Sequence, residues 1–308
     1  MSDRKVEQAD HAARFWRSGL KGPIRLGSDE HLQIFCHVLL DTFNPYKPAV
    51  IDWPKLSDAE RDRLVSLPIW DIAVRTEGKA RMNMLTYAER LANPLLRKAL
   101  ELNSFEEGRH KEVLANLVAA YGIALQPEPV YPKHADAEWA YLITGYSECI
   151  DSFFAFGLFE LAKRSGFFPP ALVETFEPVM QEECRHILFY VNWAAWHRRN
   201  LPILRRLWFT LRVVGVWYCL IRERIETARG TGKQGFTASG HQSMGIDVNP
   251  ADVLTICLEE NDRRMAGYDA RLVRPRIMPT LVRLALRFMR RPVPAKRPAT
   301  ERKDAPSR

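Results

Sequence analysis

Two pentapeptides constrain this chain more than any other feature: Glu106-Glu107-Gly108-Arg109-His110 and Glu182-Glu183-Cys184-Arg185-His186. Each puts a run of charge into an otherwise apolar helical pattern, as in VMQEECRHILFYVNWAAW around the second. On a helix, Glu107 and His110 share a face, as do Glu183 and His186, because residues three apart are neighbours on the helix surface. Either each run is a solvated turn of charge, or the paired Glu and His point inward and hold something.

The flanking pattern is helical throughout, and no strand pattern competes with it. Four long helices are expected. The first runs from about Ile69 to Ala92 and stops before Asn93-Pro94. The second starts at Pro94, a residue suited to the first helical position, and ends at Tyr121-Gly122. After the proline-containing crossover IALQPEPVYPKH, the third runs from about Ala135 to Ser165-Gly166. The fourth runs from near Pro170 to near Asn200, with Pro178 expected to bend it. At about 24–31 residues each, these helices would be about 36–46 Å long. Two helical hairpins joined by a longer connection predict an all-α fold built on a four-helix bundle over residues 58–200.

The remaining segments divide by composition. Residues 1–57 read as an extension, with a helix around HLQIFCHVLLDTF and a loop broken by Pro45, Pro48 and Pro54. A helix start is expected at Ser57, with Asp58 and Glu60 in its first turn. Residues 201–291 should hold additional helices: ILRRLWFTLRVVGVWYCLIRER, a stretch near Pro250–Tyr268 and the amphipathic MPTLVRLALRFMRR. The uncharged run Val213–Ile221 is too short to span a bilayer. Residues 292–308 read as a disordered basic tail.

Charge separates the two ends of the chain. From Arg198 onward there are 23 Lys and Arg against 10 Asp and Glu, a net +13, whereas the first 197 residues carry 22 against 27. A basic C-terminal third predicts contact with something acidic, and an anionic membrane surface is the first candidate. Nucleic acid is the weaker one, because no aromatic-and-basic RNA motif is visible. The five cysteines are scattered without a Cys-x-x-Cys pair, which argues against a zinc ribbon or a disulfide framework and fits a reducing compartment. With no apolar run at the N-terminus, the expectation is a cytoplasmic protein, peripheral at a membrane if the basic third docks there.

The two Glu-x-x-His motifs gain weight from what lies upstream of each. Glu77 stands 30 residues before Glu107, and Glu148 stands 35 residues before Glu183, each inside the preceding helix. Antiparallel neighbours separated by such intervals can bring their carboxylates to one height. The chain therefore contains one unit twice: a glutamate, a hairpin, then Glu-x-x-His. Four carboxylates buried together would repel and titrate far above their usual range, and two divalent cations would neutralise them. Carboxylate with imidazole suits iron, with manganese as the competing ion. Asp151, one turn from Glu148, is a candidate acceptor for a histidine N–H. Arg109 and Arg185 read as partners for neighbouring carboxylates, and Glu182, about 100° around the helix from Glu183, as a solvated or pairing residue. Tyr141, Thr144 and Tyr190 are candidate pocket residues, while Phe153, Phe154, Phe156 and Phe159 read as core.

This pattern resembles the ferritin-like family of carboxylate-bridged di-iron proteins, over about residues 60–200. The resemblance implies six metal ligands (Glu77, Glu107, His110, Glu148, Glu183 and His186), two iron ions or a manganese–iron pair, and dioxygen as co-substrate. It also implies an oxidoreductase acting on a small or lipid-like organic substrate, with an external electron donor restoring the reduced metals. Several subfamilies fit less well. The amine N-oxygenases carry an extra histidine where this chain has Val179, and the ribonucleotide reductase small subunits a radical tyrosine where it has Leu114. Rubrerythrins add a cysteine-rich iron site for which the chain has no residues. The alternative reading is a non-catalytic, membrane-associated helical protein that works through its basic C-terminal third.

Overall fold

The computed structural model describes residues 3–67, 69–228 and 249–289. The described residues are helical with connecting loops and contain no strand: α1 (Asp3–Arg14), α2 (Asp29–Asp41), α3 (Asp58–Ser66), α4 (Trp70–Ala88), α5 (Pro94–Tyr121), α6 (Ala137–Ser165), α7 (Pro170–Thr175), α8 (Glu177–Asn200), α9 (Ile203–Ala228), α10 (Pro250–Met265) and α11 (Ile277–Met289). The expected basic tail and the glycine- and serine-rich stretch after α9 fall outside the described residues.

Local chemistry sets the helix ends. Ser57 caps α3 in a reciprocal capping box with Glu60. Asn93 accepts from the Leu96 N–H, Pro94 occupies the first turn of α5, and Gly122 closes that helix in the left-handed conformation at φ 69°. Gly166 ends α6 in the same way, at φ 64°. The fourth long pattern departs from expectation. It is two helices, α7 and α8, separated at Phe176 rather than one bent helix. Pro178 has no N–H to donate back to the preceding turn, so the break falls just before it.

Helices α4, α5, α8 and α6 close a ring of packed neighbours, in which α4 packs on α5 and α6, and α8 on both α5 and α6. Gly145 of α6 lets the Tyr190 ring of α8 lie on the helix backbone, since a Cβ there would sit 2.0 Å from the ring. The N-terminal segment takes part in the core. Ile34, Phe35, Cys36, Val38 and Leu39 of α2 are fully buried, and α2 packs against α8 and α5. One polar node ties three distant segments. The Gly27 N–H donates to His31 Nδ1, so His31 Nε2–H donates to Asn192 Oδ1 at 3.0 Å. Asn192 in turn accepts from the Val273 N–H at 2.8 Å and donates to the Val273 carbonyl at 3.0 Å. On the outer side of α6, α10 packs with Cys257 directly over Gly157, and its Arg264 pairs with Glu177 at 2.9 Å.

Candidate metal centre

The two pentapeptides meet in the middle of the ring of four helices. One ligand atom from each of Glu107, His110, Glu183 and His186 lies within 4.8 Å of the others, and all four residues are buried. The two imidazole rings are 5.4 Å apart, centre to centre. His110 Nδ1 stands 3.2 Å from Glu183 Oε1 and 3.7 Å from Glu107 Oε2. His186 Nδ1 stands 2.8 Å from Glu107 Oε1. Helix α4 contributes Glu77, whose Oε2 is 3.8 Å from His110 Nδ1 and whose side chain keeps 21% of its surface exposed. Helix α6 contributes Glu148, which lies within electrostatic reach of Glu107, Glu183 and Glu77, and Ser152, which donates to Glu183 Oε2 at 2.9 Å.

The inward-facing atoms have no hydrogen-bond partners. His110 Nδ1, His186 Nδ1, Glu107 Oε1 and both carboxylate oxygens of Glu148 are buried without one. The close His186–Glu107 pair lacks hydrogen-bond geometry, as expected of two atoms aimed at a shared point rather than at each other. Buried polar atoms are rarely left unpartnered, and a cluster of them calls for an ion or water to complete it.

The outward-facing atoms of both histidines and both outer glutamates are engaged, and the engagement is crossed. His110 Nε2–H donates to Glu182 at 2.9 Å, and His186 Nε2–H donates to Glu106 at 2.7 Å. Each outer glutamate thus holds the histidine of the other pentapeptide. The arginines follow the same rule: Arg109 donates to Glu182, and Arg185 to Glu106 at 2.7 Å. The arginines reach on to backbone carbonyls of the N-terminal segment, Arg109 to Asn44 and Tyr46, and Arg185 to Leu39. The Tyr46 ring lies 4.0 Å under the Arg109 guanidinium, and its hydroxyl donates to Glu182. A carboxylate on Nε2 fixes the tautomer in which Nδ1 carries the lone pair, and it raises the basicity of that lone pair.

Electrostatics separates the two layers. Burial pushes Glu148 well above the usual carboxylate range, and the charges of Glu107 and Glu183 add to the shift. Burial and Glu107 do the same to Glu77. Burial also opposes the charged form of Glu106, but the Arg185 guanidinium and the His186 hydrogen bond outweigh it and hold Glu106 at about 2. Glu107 is likewise held at about 2, burial being outweighed by the His186 charge. Burial pulls His186 down, but the Glu107 charge and the Glu106 bond leave it at about 9. His110 lies well above its ordinary value: burial opposes its charged form, but the bond to Glu182 and the nearby charges of Glu183 and Glu107 overcome it. In the metal-free chain the inner carboxylates therefore share their site with protons, held by Glu77, Glu148 and the two imidazoles.

The structure refines several expectations. Of the two readings of Glu182, solvated or pairing, the structure shows the pairing one. It is 1% exposed and is one of the two outer acceptors. Asp151 is engaged elsewhere than at the metal-site histidines: Arg224 of α9 takes its carboxylate at 2.8 Å and Ser147 donates to it at 2.9 Å. Glu106 and the three backbone carbonyls from residues 39–46 are the supporting groups that sequence reasoning missed. The only trace of the first in the sequence is the doubled glutamate common to both pentapeptides. Among the pocket candidates, Tyr141 stacks on Tyr87 at 4.8 Å, Thr144 accepts from Asn83 and Tyr190 donates to the Leu142 carbonyl. Cys149 and Cys184 are buried, and burial pushes both thiols up, as for small apolar side chains rather than reactive ones.

The structure therefore contains a helical protein with a buried carboxylate–histidine cluster whose donor set can hold metal. Comparison of the chain with protein-family models, with curated proteins and with solved structures found no match.

Proposed function

We propose that the chain is a ferritin-like protein with a dinuclear metal centre, and that it uses dioxygen to oxidise a small or lipid-like organic molecule. The observation that carries this reading is the contrast at each histidine: Nε2 is tied outward to a carboxylate, while Nδ1 is aimed inward with no hydrogen-bond partner. Glu77, Glu107, His110, Glu148, Glu183 and His186 would hold the two ions. Four carboxylates match the charge of two divalent cations, and oxygen with imidazole donors suits iron first and manganese second. When bound, such a pair supplies electrons to dioxygen, and an external donor restores them.

The chain's own groups do the rest. Glu106 and Glu182 keep the imidazoles oriented and hold the Nε2 protons, and Arg109 and Arg185 balance the charge of those two carboxylates. Ser152 fixes the outer oxygen of Glu183, which leaves the other oxygen to face His110. Buried aromatic side chains on the α4, α6 and α8 side (Tyr87, Tyr141, Tyr190 and Trp193) exclude water. A small cleft of about 30 Å³, lined by apolar side chains such as Tyr146, Trp217 and Met278 and by Arg276, reaches Cys149, the residue next to Glu148.

The test is oxygen uptake by the anaerobically iron-loaded full chain, followed with its optical spectrum. Rapid uptake with a spectral change is expected, and Glu107→Ala or His186→Ala should abolish both. If those variants consume oxygen at the wild-type rate, the reading is wrong.

A further inference from the structure

Helix α9 carries a surface that the metal centre does not use. Its Phe209, Val216 and Leu220 are buried, in a helix that packs on α6 and α8. On the other face Leu204, Leu207, Trp208, Leu211, Val214 and Tyr218 are each at least 60% exposed. Steps of three and four residues make these side chains one continuous stripe along the helix. Helix α11 repeats the arrangement, with Val282 and Leu286 buried and Leu281, Leu284 and Phe288 exposed. Both helices pack on α6, and they approach each other where Trp217, Ile277 and Met278 line one cleft. An apolar patch of this extent marks an interaction surface.

We propose that α9 and α11 together dock the chain on an anionic phospholipid surface, with the two helices lying in the interface rather than crossing it. Among the described residues no helix is long and apolar enough to cross a membrane. The chain has little of its own with which to cover the stripe. Residues 229–248 offer only Phe236, Met244, Ile246 and Val248 as larger apolar side chains, and residues 290–308 only Val293. The charge around the patch is positive. The exposed Arg205 and Arg287 make no ion pair among the described residues, and residues 290–308, which follow α11 directly, carry seven Lys and Arg against two Asp and Glu. A second copy would set this basic surface against itself, whereas an anionic leaflet complements it. Trp208 and Tyr218 are side chains of the kind that settle at headgroup depth. The inference does not rest on the metal centre and holds whether or not a metal is bound.

The test is co-sedimentation of the full chain with vesicles of phosphatidylcholine alone and of phosphatidylcholine mixed with phosphatidylserine, at low and high salt, with light scattering to report the oligomeric state. The expected result is binding to the mixed vesicles at least about tenfold tighter than to phosphatidylcholine alone, weakening as salt rises. Leu211→Glu combined with Leu284→Glu should lower that binding at least about tenfold, because each change puts a charge into the apolar face. Arg205→Glu combined with Arg287→Glu should lower it less and reduce its salt dependence. All four positions are exposed, so an unchanged circular dichroism melt shows that the variants are folded. Wild-type protein that binds neither vesicle overturns the proposal, as does binding that survives Leu211→Glu with Leu284→Glu. A dimer that binds no vesicle and that Leu211→Glu converts to monomer would assign the face to self-association instead.

Discussion

Glu106 and Glu107 are adjacent in the chain and both fully buried, yet they belong to two layers with different chemistry. In the outer layer, Glu106, Arg109, Glu182 and Arg185 satisfy one another and hold both histidines. In the inner layer, polar atoms of Glu107, Glu148, His110 and His186 point at one another without hydrogen bonds. A step of about 100° around one helix separates the two. The outer layer is paired within the protein, Arg109 Nε excepted, whereas the inner layer is complete only with protons or metal. Substitutions in the two layers should therefore change the stability of the metal-free chain in opposite directions.

The largest effect is expected from metal itself. At a free metal concentration about 1,000 times Kd, each occupied site should contribute about 4 kcal/mol, and thermal melts with and without chelator would read it. An unchanged Tm would erase the distinction between the layers. Next in size is Glu106→Gln, which leaves the buried Arg185 guanidinium with only the more distant Glu182, 3.8 Å away, as a charge partner. A loss of about 3–5 kcal/mol in the metal-free chain is expected from urea unfolding. The inner counterpart, Glu148→Gln, should leave the metal-free chain equally stable or more stable, because it removes a carboxyl that burial and its neighbours already disfavour as an anion. It should also lower the stabilisation by metal. If Glu148→Gln destabilised the metal-free chain as much as Glu106→Gln does, the two layers would not differ.

The pH dependence should separate the layers as well. Glu106 is held at about 2, below its unfolded value, so its stabilisation is present above that unfolded value and is lost as pH falls toward 2. Glu77 and Glu148 are raised, so their contribution is full below the unfolded carboxylate range and is lost as pH climbs through their folded values. His186 acts in the same direction, with its stabilisation full below the usual histidine value and lost as pH rises through about 9. The metal-free chain should therefore unfold more easily at pH 9 than at pH 6. Metal loading displaces those protons, so its stabilising effect should grow over the same range. The smallest effect belongs to Gly108→Ala. A Cβ at Gly108 would meet the flexible Arg81 side chain at 3.1 Å, and the gain in helix propensity offsets the contact, so a change within about 1 kcal/mol is expected.

What could be read in the sequence was local. Pro94, Gly122 and Gly166 mark helix ends because a missing N–H and a left-handed φ act within one turn. The pairing of Glu77 with Glu107, and of Glu148 with Glu183, depends on hairpins whose lengths can be counted. What could not be read depends on contacts between distant segments. Arg224 claims Asp151 because α9 returns along α6. The crossing of Glu106 to His186 and of Glu182 to His110 requires α5 and α8 to face each other across the ring. The carbonyls of Leu39, Asn44 and Tyr46 carry no sequence signal at all. The doubled glutamate with an arginine at the same place in both pentapeptides was the visible sign of that crossing, and a single pentapeptide would not have revealed it.

The most direct measurement is the stoichiometry of ferrous binding to the full chain, compared between wild type and an inner-layer variant, Glu107→Gln. Two ions per wild-type chain and fewer than two in the variant are predicted. No bound ion in the wild type, or two in both proteins, would contradict a metal centre built from these residues.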